Sequence, residues 1–274
     1  MVQNYNFYMV EKKEHIAWVY LNRPEKKNAM GPDAWKEIIP IFEDIDKDDE
    51  ILVSIIAGQG DDFCAGIDFV TMVGEFASVK NWDRSANAMV KLFKMIPSLQ
   101  ETISCVEKCS KPVICAIHGL CIGAGLDLAS ACDIRLATED AKISLREAGV
   151  AFIADVGSLQ RVPLIVGQGI ARELAFTAGF ITATRAKEVN LVNHLYKDRE
   201  ELIEEARNMA LEIASNAPLA VQGAKQVLNY CRNKSIEDGL EYVAARSAMI
   251  VPSEDLAEAA TAFTEKRKPR FKGN

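Results

Sequence analysis

Three carboxylates break an otherwise apolar stretch of this 274-residue chain: Asp127, Glu147 twenty residues later, and Asp155 eight beyond that. An unpaired buried charge is costly, so acids in such surroundings need a partner or a task. They follow a glycine-rich turn, Gly119 to Gly125, that joins the apolar run Val113–Ile117 to an apolar helix beginning near Ala124. The run reads as a fully buried strand. A strand, a tight turn and a helix N-terminus aim backbone N–H groups at one point and favour a negative oxygen there. An anion-stabilising turn beside several carboxylates suits proton transfer next to a carbonyl.

A second glycine-rich turn, running from Gly58 to Asp68, follows the apolar run Ile51–Ala57. If the two strands are neighbours in one sheet, the amides of Ile67 and Ala124 converge on a single carbonyl oxygen. Two such donors stabilise a developing enolate, and losing one typically costs about 3 kcal/mol in the transition state. Each acid also has an ordinary reading. Glu147 follows Arg146 and could form a surface ion pair with it; Asp155 could cap a helix beginning at Val156; Asp127 could be a helix-interior acid satisfied by a neighbour. His118 ends the strand, and with no adjacent serine or suitable cysteine in a matching motif it is expected to be a packed histidine rather than a base.

The elements that must position these residues are legible in outline. Phe7–Val10 and His15–Leu21 alternate as paired strands around a polar Glu11–Glu14 turn. A loop, Asn22 to Asn28, holds Arg23, Lys26 and Lys27. Gly31-Pro32-Asp33 opens a helix with Trp35, Ile38, Ile39, Phe42 and Ile45 on one face, which Pro40 should kink. Phe69 to about Val79 and Ala86 to Cys109 read as helical around a polar Trp82-Asp83-Arg84 segment. Gly169–Thr177 is a short helix, and Thr182–Val189 with Leu191–Tyr196 a helix–strand unit. From Glu200 the texture becomes long amphipathic helices: Glu201–Ser215, Leu219–Cys231, Ser235–Ala248 and Ser253–Glu265. A boundary near Asp198 divides a core, residues 1–198, from a helical region, 199–274.

Hydrophobic residues make up 49% and charged residues 26%, enough for a sizeable core, and the net charge is −7. With no basic block before the last ten residues, nucleic acid is not an expected partner, because affinity for it rests on phosphate neutralisation. No stretch approaches the ~18 apolar residues of a membrane span. The first residues have neither a signal-peptide nor a transit-peptide pattern, and the last are not Ser-Lys-Leu, so the cytoplasm is expected. Seven scattered cysteines fit free thiols in a reducing compartment. Cys105 and Cys109 lack neighbouring histidines, so no metal site is expected there.

Phe63-Cys64-Ala65-Gly66-Ile67-Asp68 and Gly119-Leu120-Cys121-Ile122-Gly123-Ala124-Gly125-Leu126-Asp127 resemble the two oxyanion-hole segments of the crotonase (enoyl-CoA hydratase/isomerase) superfamily. Asn22-Arg23-Pro24, Lys111-Pro112-Val113, Cys132-Asp133-Ile134-Arg135 and Gly157-Ser158-Leu159-Gln160-Arg161-Val162-Pro163 extend the likeness over nearly the whole chain. The resemblance implies an α/β spiral of strand-strand-helix units with a C-terminal helical region that drives assembly into a homotrimer or hexamer. It also implies an acyl-CoA thioester substrate and no separate cofactor, CoA being part of the substrate. The amides of Ile67 and Ala124 would hold the thioester oxygen, with Ala65, Gly66, Asp68 and Gly123 around it. Arg23 and Lys26, and less so Lys27 and the Lys266-Arg267-Lys268 run, could meet the CoA phosphates by charge. Ala124 departs from the glycine that many members carry.

The acids decide the subfamily. Hydratases of the family use two glutamates at the positions of Asp127 and Glu147, and the shortening to aspartate argues against hydration. Simple 3,2-enoyl isomerases need only the Glu147 position. The set Asp127, Glu147 and Asp155 resembles the Δ3,5-Δ2,4-dienoyl-CoA isomerases, which take a proton from C2 and return one at C6. The alternatives are an enoyl-CoA hydratase, a 3,2-enoyl-CoA isomerase, or a silent member serving as an RNA-binding or scaffold protein. Proton relocation across an extended diene calls for one carboxylate near each end, one ionised and one protonated. Like charges in an apolar pocket push their pKa values apart and supply that division.

Overall fold

The computed structural model describes residues 2–72 and 86–274. A seven-stranded sheet runs in the order β1 (Val2–Asn4), β2 (Tyr8–Lys13), β3 (Ile16–Leu21), β4 (Val53–Gly58), β5 (Val113–Ile117), β7 (Ile134–Thr138), β10 (His194–Tyr196). The first three strands pair antiparallel and the rest parallel. Strand β1 went unforeseen, and β2 continues to Lys13, so the hairpin turns at Glu14 and His15, both at positive φ, rather than through Glu11–Glu14. β4 starts at Val53, two residues later than expected, and ends at Gly58.

The central strands are apolar without alternation because both faces are covered. Val19, Ile56 and Cys115 face one core together with the helix Pro32–Lys47. Trp18, Ile55, Ile114 and Leu136 face the other, closed by Leu202, Ala206 and Ala210 of the helix Arg199–Ala214. That helix, capped by Asp198, therefore packs directly on the sheet. Pro32–Lys47 runs through Pro40 as one element, and Ile41 joins Trp35, Ile38, Phe42 and Ile45 in the core while Ile39 stays partly buried.

Residues 69–72 are helical, as expected; the remainder of the Phe69–Val79 expectation and the Trp82-Asp83-Arg84 segment lie outside the described residues. The next helix spans Ala86–Lys108. Gln168–Thr177 and Ala183–Glu188 match the expected short helices within a residue or two, and the last three helices run Pro218–Cys231, Ile236–Ile250 and Glu254–Glu265. Ser235 and Ser253 cap the final two, each accepting a backbone amide three residues on. All seven cysteines are free thiols.

A second, three-stranded sheet passes through the second glycine turn: β6 (Leu120–Ile122), β8 (Lys142–Ser144) and β9 (Ile181–Thr182). β6 occupies what the sequence presents only as a glycine turn. It leads directly into the helix Ala124–Ala131, every residue of which is buried.

Candidate active site

The two glycine turns are joined by a parallel bridge between Cys64 and Cys121. The Cys64 amide donates to Leu120 O and the Ile122 amide to Cys64 O, at 2.8 and 2.9 Å. The bridge joins the two turns, with Ile67 three residues past Cys64 and Ala124 three past Cys121. Close approach is required: a Cβ on Gly125 would lie 2.8 Å from that of Cys64, and one on Gly66, at φ +98°, would lie 3.1 Å from Ile122 O.

Ile67 is itself bridged to Met30, whose amide takes Gly66 O while its carbonyl accepts the Asp68 amide, both at 2.8 Å. In that pattern the residue between, Ile67, leaves its own N–H unused. Ala124 is the first residue of its helix, where an amide has no intrahelical acceptor. Among the described residues, neither amide has a backbone acceptor. Two unspent donors thus stand on neighbouring, registered segments.

Glu147 stands against the second turn, and Asp127 follows it on the helix. Glu147 begins a 3-10 turn, Glu147–Val150. A Cβ built on Gly123 would lie 3.1 Å from Glu147 Oε1, so the carboxyl rests over that glycine. Its Oε2 is buried without a hydrogen-bond partner among the described residues. Burial, then the charges of Asp127 and Asp155, push its pKa up to about 7. The ion pair with Arg146 does not form: that guanidinium instead donates to Ala178 O at 2.8 Å and lies over the Phe180 ring.

Asp127 is buried on the helix Ala124–Ala131 and accepts the Ser158 amide at 2.6 Å. Burial raises its pKa to about 6, the Ser158 amide and Arg161 pull against the rise, and Asp155 adds to it. This contact also corrects the capping alternative for Asp155. The helix starts at Ser158 with Gly157 as its N-cap, and the orphan Ser158 amide is satisfied by Asp127 from another element. Asp155 is exposed, yet enough protein surrounds its carboxyl to raise its pKa. Its carbonyl accepts Gln100 Nε2 at 2.8 Å. The side chain lines a cleft of ≈ 710 Å³ shared with Glu107, Arg161 and Arg232.

The other expected residues have the following surroundings. Asp68 accepts the Thr71 amide and an Arg23 Nη1 contact of 2.8 Å, so Arg23 is engaged in tying the first turn to the N-terminal loop. Ala65 donates to Lys27 O at 2.9 Å, and Lys27 pairs with Asp62. Lys26 is exposed. Arg267 pairs with Glu258 and Glu265. His118 is buried with Nε2 3.0 Å from Gly60 O, and burial lowers its pKa, as a packed histidine requires. Burial lifts the thiols of Cys64, to about 12, and Cys121, leaving both inert.

Sequence reasoning missed Asn28 and Asp62. Asn28 stands at φ 54°, fully buried, and donates to Gln59 O and Asp62 O while accepting the Arg23 amide. Asp62 Oδ1 accepts the Leu120 amide at 3.0 Å, fastening one glycine turn to the other. An asparagine and an aspartate in polar loops carry no signal of such contacts. The only hint is the small-residue and glycine density around them.

Residues 11–274 match the enoyl-CoA hydratase/isomerase family. A Delta(3,5)-Delta(2,4)-dienoyl-CoA isomerase, mitochondrial, of Dictyostelium discoideum is 42% identical over 100% of this chain and 94% of its own length. A peroxisomal protein of the same name from Arabidopsis thaliana is 40% identical over 92% of this chain and 90% of its own. Among solved structures, an enoyl-CoA hydratase from Bacillus anthracis superposes with a TM-score of 0.89 at 31% identity, covering 98% of this chain and 100% of that one. With the family match over residues 11–274 and a relative 42% identical over the whole chain, the chain belongs to the enoyl-CoA hydratase/isomerase family.

Proposed function

We propose that this protein is a Δ3,5-Δ2,4-dienoyl-CoA isomerase. The observation that carries the reading is the Glu147 carboxyl, resting over Gly123 beside the Ala124 amide, with Asp155 acting on it as a second acid from the next loop. The amides of Ile67 and Ala124 would hold the thioester oxygen and stabilise the dienolate formed when a C2 proton leaves. Glu147, next to that oxygen, serves the C2 end; Asp155, the more exposed of the two, serves C6. A group with its pKa near 7 is half-protonated at neutral pH and can both accept and return a proton. Asp127, committed to the Ser158 amide, tunes the pair by its charge rather than holding a water, which disfavours hydration.

Exposed Phe69 and Ile153, with the Phe69–Phe152 edge contact at 6.2 Å, offer an apolar surface for an acyl chain on the flanks of both turns. The reading needs no cofactor, since CoA is part of the substrate. Among the described residues no group of three His, Cys, Asp or Glu is placed to hold a metal, and no helix is long and apolar enough to cross a membrane. We take residues 1–198 to carry the site and 199–274 to serve assembly into a trimer or a dimer of trimers. Exposed Ile236, Leu240 and Val243, along one face of the helix Ile236–Ile250, support that role. The cytoplasm is our proposed compartment, resting on the seven free thiols, which suit a reducing environment; the two relatives are named for the mitochondrion and the peroxisome.

Two variants test the assignment. Asp155→Asn should cut 3,5-dienoyl-CoA isomerisation by the ~10²–10⁴-fold of a lost general acid or base. It should still exchange the C2 hydrogen with deuterated solvent. Glu147→Gln should lose both activities. Wild-type dienoyl isomerisation by Asp155→Asn, or C2 exchange surviving in Glu147→Gln, refutes the two-carboxylate mechanism.

A further inference from the structure

Arg161 lies one turn along the helix whose first amide binds Asp127. It is buried, at 9% exposure. Its Nε and Nη2 donate to Glu107 Oε2 at 3.0 and 2.8 Å, and Nη2 also donates to Ser104 Oγ at 3.0 Å. Nη1 reaches Val156 O at 3.4 Å, and a Cβ on Gly157 would collide with that nitrogen. The guanidinium therefore presses against the turn Asp155–Ser158 that carries one acid and binds another. On its far side Glu107 is shared with Arg232, at the C-terminal end of the helix Pro218–Cys231. This arrangement is more than a buried pair closing on itself, because two cations share one carboxylate and leave net positive charge behind the turn Asp155–Ser158.

We propose that Arg161 is a positioning residue for the isomerase reaction: it is the counter-cation of Asp127 and the brace of the Asp155 turn, and Glu107 and Arg232 set how much of its charge reaches the acids. The groups that bear on Asp127 are the Ser158 amide and Arg161 on its favourable side, and Asp155 and Glu147 against it. The nearby thiols of Cys64 and Cys121 stay neutral through burial. Those bearing on Arg161 are Glu107, Arg232, Asp127 and Cys132. With Arg161 present, Asp127 is an anion at neutral pH and its charge keeps Glu147 half-protonated. Without it, Asp127 is protonated over more of the neutral range, and Glu147, with less repulsion from its neighbour, becomes a stronger acid than in the wild type.

The proposal rests on the reading of Glu147 and Asp155 as proton-transfer groups, but its test does not require turnover. The protein is labelled with carbon-13 at the aspartate side-chain carboxyls, and the Asp127 resonance is identified by its loss in Asp127→Asn. Its titration midpoint should rise by about 0.5–1 unit in Arg161→Gln, less than the 1–3 units of an uncompensated neighbouring charge because Glu107 already offsets the guanidinium. It should fall in Glu107→Gln, which frees that charge. Arg161→Lys, keeping the charge without the fork, should stay near wild type. A brace with no electrostatic role would instead leave the midpoint unmoved in all three variants, or move it in the same direction in Arg161→Gln and Glu107→Gln, and either result overturns the proposal. If Arg161→Gln does not fold, Glu107→Gln decides alone: a lower midpoint supports the proposal, an unchanged or higher one refutes it. Opposite shifts in an enzyme inactive on dienoyl thioesters would sink the substrate reading while leaving this one standing.

Discussion

Gly123→Ala isolates the point where backbone and acid meet. Gly123 sits at φ 51°, ψ −116°, a conformation that a residue with a Cβ avoids, so the substitution costs on the order of 1–3 kcal/mol in backbone strain. The new methyl would also lie 3.1 Å from Glu147 Oε1, tighter than an ordinary contact, so the carboxyl must retreat by a few tenths of an ångström or the turn must rotate the Ala124 amide. A misplacement of 1 Å costs about 10²-fold, and loss of an oxyanion donor about 10²–10³-fold. The partial displacement here should therefore lower kcat by roughly 10–10²-fold. Gly167→Ala is the control. Gly167 has φ +80°, but nothing lies within 4 Å of its virtual Cβ and it adjoins no acid of the site. Both variants should lose about 2–4 °C of Tm per kcal/mol of strain. Only Gly123→Ala should lose turnover, measured as loss of dienoyl substrate beside a melting curve. Folded Gly123→Ala with a kcat within about twofold of wild type would show that the Gly123–Glu147 contact has no part in the chemistry.

Two further outcomes follow from the same geometry. Asp127 has its pKa raised from 3.8 to about 6, so the folded state binds its proton more tightly than the unfolded state does. Its contribution is most favourable below the unfolded pKa and is lost as pH climbs through the folded one, by roughly 3 kcal/mol at the 1.36 kcal/mol per unit of linkage. Asp127→Asn keeps an acceptor for Ser158 and does not titrate, so its Tm should exceed wild type above pH ~7 and the advantage should vanish toward pH ~4; a pH-independent difference contradicts the burial argument. For assembly, Leu240→Asp with Phe263→Asp places charge on two apolar side chains exposed at 63% and 87%. Light scattering should show smaller particles than wild type, and an unchanged mass would remove these helices from the interface.

What the sequence determined by itself was local. Gly66 and Gly123 announce backbone that only glycine adopts, Pro32 a helix start, and Ser235 and Ser253 helix caps, because each acts on residues within one turn of itself. Acids at 127, 147 and 155 in apolar surroundings already imply raised pKa values, since burial is the largest cause for all three. The tertiary structure decided the partners. Ser158 reaches Asp127 across 31 residues, Asp68 meets Arg23 across 45, and Glu107 meets Arg161 across 54. No periodicity spans such distances, and a charged side chain looks the same in sequence whether it faces water, a phosphate or a buried acid. Hence Arg23 shows no partner in sequence until Asp68 is seen beside it, and Asp155 reads as a helix cap until Asp127 is found on the amide it would have capped. The bridge at Cys64 and Cys121 belongs to the same class: two turns 57 residues apart become one site only when the strands that lead into them pair in register.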